Sequence, residues 1–166
     1  MKRIVKRVAL GLVAAIAAVL VAFGVLYASR IQTISSIDQV TSYDDGYNLY
    51  TMDVAYDYDL DALLARDIRD NQAFLDAVIA ESLPLLPVHM TAPNYACTAF
   101  TATAADGEVR MGRNYDFKLD TSALLVRCTP KNGYKSIGLA ALNNVKADDP
   151  NESVSKKLAC LTAPFI

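Results

Sequence analysis

Apolar and polar positions alternate with three different periods along the chain. Residues 8–28 (VALGLVAAIAAVLVAFGVLYA) hold 21 positions without a charge, enough for a helix to cross roughly 30 Å of hydrocarbon. Residues 31–59 then mix Ser, Thr, Asp and Tyr with no sustained helical period. The pattern predicts a stalk with one or two short strands, residues 48–55 (NLYTMDVA) being the best strand candidate. From 59 to 82, Leu60, Leu63, Leu64, Ile68, Phe74, Leu75, Val78 and Ile79 recur at helical spacing, with Asp59 and Asp61 at the positive end of the helix dipole. This predicts one helix, or two broken near Asp70 and Asn71. Pro84 and Pro87 stop it, and His89 follows in a connector.

The second half changes to extended patterns. Residues 97–117 (CTAFTATAADGEVRMGRNYDF) read as a β-hairpin turning at Asp106-Gly107, and 124–140 as a further hairpin turning at Asn132-Gly133. Asn143, Asn144 and residues 148–152 read as a solvated loop, and 154–161 as a short apolar helix. Periodicity alone therefore predicts a mixed α+β chain with antiparallel hairpins.

Charge sharpens the first segment. Lys2, Arg3, Lys6 and Arg7 precede the apolar stretch and only Arg30 follows it closely, so the positive-inside bias predicts a cytoplasmic N-terminus and an extracytoplasmic remainder. A cleaved signal is the competing reading. Its apolar region is usually shorter, about 7 to 15 residues, and Leu26-Tyr27-Ala28 is a poor cleavage site, which favours an uncleaved anchor in the cell membrane over secretion. Removing those five basic residues from the 16 Lys and Arg leaves 11 against 18 acidic groups, a net of −7, so nucleic acid is not an expected partner. With one His and three scattered Cys, no metal-ligand framework is expected, and no Gly-rich phosphate loop or other cofactor motif occurs. Tyr43, Tyr47, Tyr50 and Tyr56 are expected as partly buried side chains, and His89 as exposed or merely hydrogen-bonded.

Candidate chemistry begins at Cys97. Pairing across the hairpin returns Arg113 and Asp116 to the neighbourhood of the thiol. A guanidinium stabilises a thiolate, and a carboxylate can orient an adjacent amine. The plainer alternatives are a disulfide among Cys97, Cys128 and Cys160 in an oxidising exterior, with one spare thiol, and a surface ion pair between Arg113 and Asp116. Cys128 and Cys160 read as small buried residues.

The run CT-x-F, then a DG turn, then GRNYDF resembles the choloylglycine hydrolase and penicillin V acylase family, linear amide C–N hydrolases of the N-terminal-nucleophile superfamily. The 124–140 run looks like the family's next hairpin, and residues 50–87 resemble the propeptide of its exported members. The resemblance implies chain cleavage before Cys97, with Cys97 as nucleophile and its freed α-amine as general base. The family's Arg and Asp lie sixteen and nineteen positions after the Cys, here Arg113 and Asp116. It implies a small-molecule amide as substrate, no cofactor, a homo-oligomer as an option for the complete form, and a four-layer αββα sandwich of antiparallel sheets.

The family's later oxyanion Asn and late Arg would fall beyond Ile166. With residues 1–30 as basic end and membrane anchor and 31–96 as stalk and propeptide-like segment, only 97–166 is left for the catalytic domain, and the chain is expected to be the N-terminal portion of a hydrolase precursor. The alternative is a catalytically incomplete, membrane-anchored fragment or non-enzymatic exported domain.

Overall fold

The computed structural model describes residues 2–92, 97–115, 120–131 and 133–165, the side chains of 2, 3, 97 and 115 excepted. Helix α1 (Lys2–Ser35) contains the apolar stretch, is long and apolar enough to cross a membrane or serve as a signal, and is exposed from residue 4 to residue 25. It does not stop where the apolar stretch stops. Its last two turns enter the core of the rest of the protein, with Tyr27, Arg30 and Thr33 all buried. Thr33 Oγ1 accepts from the Ala55 amide at 2.8 Å, and Ser36 Oγ accepts from the Asp53 amide at 2.9 Å. The expected stalk is thus, in its first turns, the upper end of the helix.

Strands β1 (Asp38–Gln39) and β2 (Leu49–Val54) pair antiparallel. Helix α2 (Leu60–Leu64) starts at Asp59, whose carboxylate accepts from Ala62 N at 2.8 Å. Helix α3 (Asn71–Ser82) starts at Asp70, which accepts from Ala73 N at 2.7 Å. A cap at Asp70 requires extended backbone there, so the helical pattern of 59–82 divides into two helices at the break the sequence allowed. Strands β3 (Cys97–Thr103) and β4 (Val109–Tyr115) form the expected first hairpin, and β5 (Ala123–Cys128) and β6 (Ser136–Ala141) the second. The expected turn residue Asn132 lies outside the described residues. A 3₁₀ turn at Leu142–Val145, helix α4 (Val154–Ala159) and a second 3₁₀ segment at Cys160–Phe165 complete the chain.

The four-stranded sheet has the order β1-β2-β5-β6, and its central pair β2 and β5 is parallel, Tyr50 lying opposite Leu124 and Met52 opposite Val126. Parallel pairing of strands this far apart in sequence needs a long crossover, which α2, α3 and the first hairpin supply. The sheet is therefore mixed, where the sequence led to antiparallel pairing throughout. Alternation sends Tyr50, Met52, Val54, Leu124, Val126 and Cys128 to one face, packed against Leu83, Leu142, Val145 and Leu161. Each fully buried Leu or Met there contributes about 1.5 to 3 kcal/mol. A smaller cluster of Leu63, Ala77 and Val78 joins α2 to α3.

The opposite sheet face carries a bidentate pair: Arg127 donates from Nε to Asp53 Oδ1 at 2.6 Å and from Nη2 to Oδ2 at 3.1 Å, which holds the Asp53 carboxyl below its ordinary range. Ile137 and Leu139 are exposed on that face. Of the four tyrosines expected to be partly buried, Tyr50 and Tyr56 are buried and Tyr43 and Tyr47 are exposed, because the 43–48 turn lies beyond the packed part of β2. Asn144 and Pro150, expected in a solvated loop, are buried, since the 3₁₀ turn folds that segment under the sheet edge.

Candidate active site

The β3–β4 hairpin carries the candidate residues. Its turn is tightly specified: Ala104 N donates to Glu108 O at 2.8 Å, Gly107 N to Ala104 O at 2.9 Å, and Gly107 adopts φ 83, which only glycine takes without strain. Asp106 Oδ1 accepts from Glu108 N at 3.0 Å, and Asp106 Oδ2 receives Arg110 Nη2 at 2.7 Å. Above the turn the Phe100 ring lies directly over Gly112, so a Cβ at 112 would meet it.

The register places Cys97 opposite Tyr115, Ala99 opposite Arg113 and Thr101 opposite Met111. Directly paired residues share a face, so positions 97 and 113 stand on the same face as diagonal neighbours, a relation that sets them about 7 to 8 Å apart. Arg113 is exposed. Asp116 and Ala96 lie outside the described residues, as does the Cys97 side chain. The hairpin thus brings position 113 back to Cys97 as its pattern implied, one strand-pair from the residue that opens β3.

Cys128 and Cys160 are free and buried. Burial pushes the Cys128 thiol up and raises that of Cys160 to about 12, so neither offers an appreciable thiolate near neutral pH. Both match the sequence expectation of small buried residues. His89 is exposed, with Nδ1 3.8 Å from Asp76 Oδ1. Among the described residues no group of three His, Cys, Asp or Glu side chains is placed to hold a metal ion.

Two concavities escaped the sequence. One, of about 690 Å³, lies between the start of α2 and the β5–β6 connection and is lined by Asp57, Tyr58, Asp59, Asp61, Glu81 and Tyr134. Three of its four acids serve the fold: Asp57 receives the Lys131 amide at 3.0 Å, Asp59 caps α2, and Glu81 Oε1 accepts from the Asp59 amide at 3.0 Å. The alternation DYDLD at 57–61 was its only trace in sequence. The other, of about 260 Å³, is an apolar groove lined by Leu83, Val88, Met90, Val145, Leu158 and Ala159, with Lys146 and Lys156 on its rim. Its lining comes from three separate segments, so no local pattern announces it.

No protein-family model, curated protein or solved structure matches this chain.

Proposed function

We propose that this chain carries the nucleophile strand of a linear amide C–N hydrolase tethered to a membrane by α1, with the folded part extracytoplasmic. The observation that supports it is the hairpin register, in which Cys97 opens β3 and Arg113 stands two positions along the same face of β4. The reaction follows from those groups. Cleavage of the Ala96-Cys97 bond frees an α-amine, whose ordinary pKa of about 7.7 to 8.0 lets it take the thiol proton near neutral pH. The thiolate adds to the amide carbonyl, the protonated amine returns its proton to the departing amine, and a thioester remains on Cys97. Water, deprotonated by the same α-amine, then adds to the thioester, releasing the carboxylic acid and restoring the thiol. Arg113 stabilises the thiolate by its charge, and Asp116 accepts hydrogen bonds from the α-amine.

One observation favours a second reading. All described residues of β3 and β4 except Gly112 are exposed, so among the described residues the hairpin encloses no pocket for a substrate, as in an exported domain without catalysis.

Intact mass and N-terminal sequencing of the expressed full chain decide between them. The hydrolase reading expects a new N-terminus at Cys97 that is abolished in Cys97→Ala. It also expects Cys97 to be alkylated far faster than Cys128 or Cys160. An uncleaved chain in which Cys97 reacts no faster than the two buried thiols rejects it.

A further inference from the structure

We propose that the loop at residues 84–88 inserts into the outer leaflet of the membrane that α1 crosses, so that the folded part lies on the lipid surface in one fixed orientation; this rests on the reading of α1 as an uncleaved span. Tyr27 is the last but one residue of the uncharged stretch, and the interfacial layer adds only about 5 to 7 Å beyond the hydrocarbon. Its ring therefore sits at the depth where amphipathic aromatic side chains collect. Its hydroxyl donates to Pro84 O at 2.6 Å, which brings the start of the loop to that same depth.

A second tie lies one turn further along. Arg30 donates from Nε to Ser82 O at 2.6 Å and from Nη2 to Glu81 O at 2.8 Å. Residues 81–84 are thus held on two successive turns of α1, and the path of the chain into the loop is set by the helix that spans the bilayer.

What the loop presents is costly in water. Leu85 is 81% exposed and adopts φ 68, a left-handed conformation that is unfavourable for an aliphatic residue. The Leu86 amide closes the turn on Leu83 O at 3.2 Å, which leaves the Leu85 side chain outside the core. Transfer of a Leu side chain from water into an apolar layer is favourable and offsets that strain. Val88 is exposed beside it and also lines the apolar groove, where Lys146 is an exposed charge that suits anionic headgroups while Lys156 is paired with Glu152.

The chain contains no Trp, so one introduced indole reports its own surroundings. Full-length Leu85→Trp, Val88→Trp and, as the distal reference, Tyr43→Trp are reconstituted into phosphatidylcholine–phosphatidylglycerol vesicles with and without brominated acyl chains. Tyr43 is exposed near the start of β2, at the opposite end from the contact of Ala55 with Thr33. The expected result is blue-shifted emission that loses about half its intensity in brominated vesicles for position 85 or 88, and unshifted, unquenched emission for position 43. A chain that floats with the vesicles after carbonate washing, yet whose indoles at 85 and 88 behave like the one at 43, overturns the loop contact alone. A chain that fails to float overturns the anchor and the loop contact together.

Discussion

Arg30 shows how a single side chain can carry two roles that differ in kind. As a charge just past an apolar stretch it bounds the uncharged segment of α1. As a guanidinium it is buried, reaches the carbonyls of Glu81, Ser82 and its own helix's Leu26, and lies 4.9 Å from the Tyr56 ring centroid. Removing it leaves carbonyls at the end of α3 without their donor, so Arg30→Ala is expected to lower stability by about 3 kcal/mol, read as the urea midpoint of the full chain in detergent. Arg30→Lys is expected to recover only part, because an ammonium cannot reproduce the planar fork. Cys160 supplies a test by pH. Its thiol ionises at 9.0 when exposed but only at about 12 in the folded protein, because burial disfavours the thiolate. The folded state binds that proton more tightly, so its contribution is fully present below pH 9 and is lost as pH rises toward 12. The urea midpoint is expected to fall through that window, and less steeply in Cys160→Ala.

Elements here are specified by their ends as much as by their periodicity. The apolar spacing of 59–82 is compatible with one long helix, but the Asp70 carboxylate on Ala73 N fixes a new start, and Asp70→Ala is expected to cost about 1 kcal/mol in the same unfolding measurement. The β3–β4 hairpin relies on its turn because its described side chains, Gly112 aside, are exposed. Gly107→Ala places a Cβ at φ 83 and is expected to cost about 1 kcal/mol locally. Amide exchange should then speed up in β3 and β4 while β2 and β5 keep their protection; equal acceleration in both sheets would show that the hairpin is coupled to the core. This matters for the proposed chemistry, since the relation of position 113 to Cys97 exists only while that register holds.

At the scale of the whole molecule, the segment before Cys97 is not an appendage. It contributes β2, which sits second in the β1-β2-β5-β6 sheet and pairs along its full length with β5. Cleavage at Ala96-Cys97 therefore leaves two pieces joined by a strand pair and by the Tyr50, Met52, Leu124 and Val126 packing. Chain cut there is expected to remain associated in gel filtration under native conditions and to separate only in urea; spontaneous separation would mean that the central pairing is weaker than its burial implies. The same pairing marks the boundary between what was legible and what was not. The apolar part of α1, the strand at 48–55, both hairpins with the first one's Asp-Gly turn, the C-terminal helix and the burial of Cys128 and Cys160 follow from periods, turn residues and side-chain polarity, all of which act over a few residues of chain. The parallel register of β2 on β5, the burial of Arg30 at the end of α3, the exposure of Leu85 beside Tyr27 and the apolar groove involve residues 50 or more positions apart. Local sequence contains no term for such encounters: they are chosen by how the apolar faces of finished elements cover one another, and that choice is made only when the chain packs.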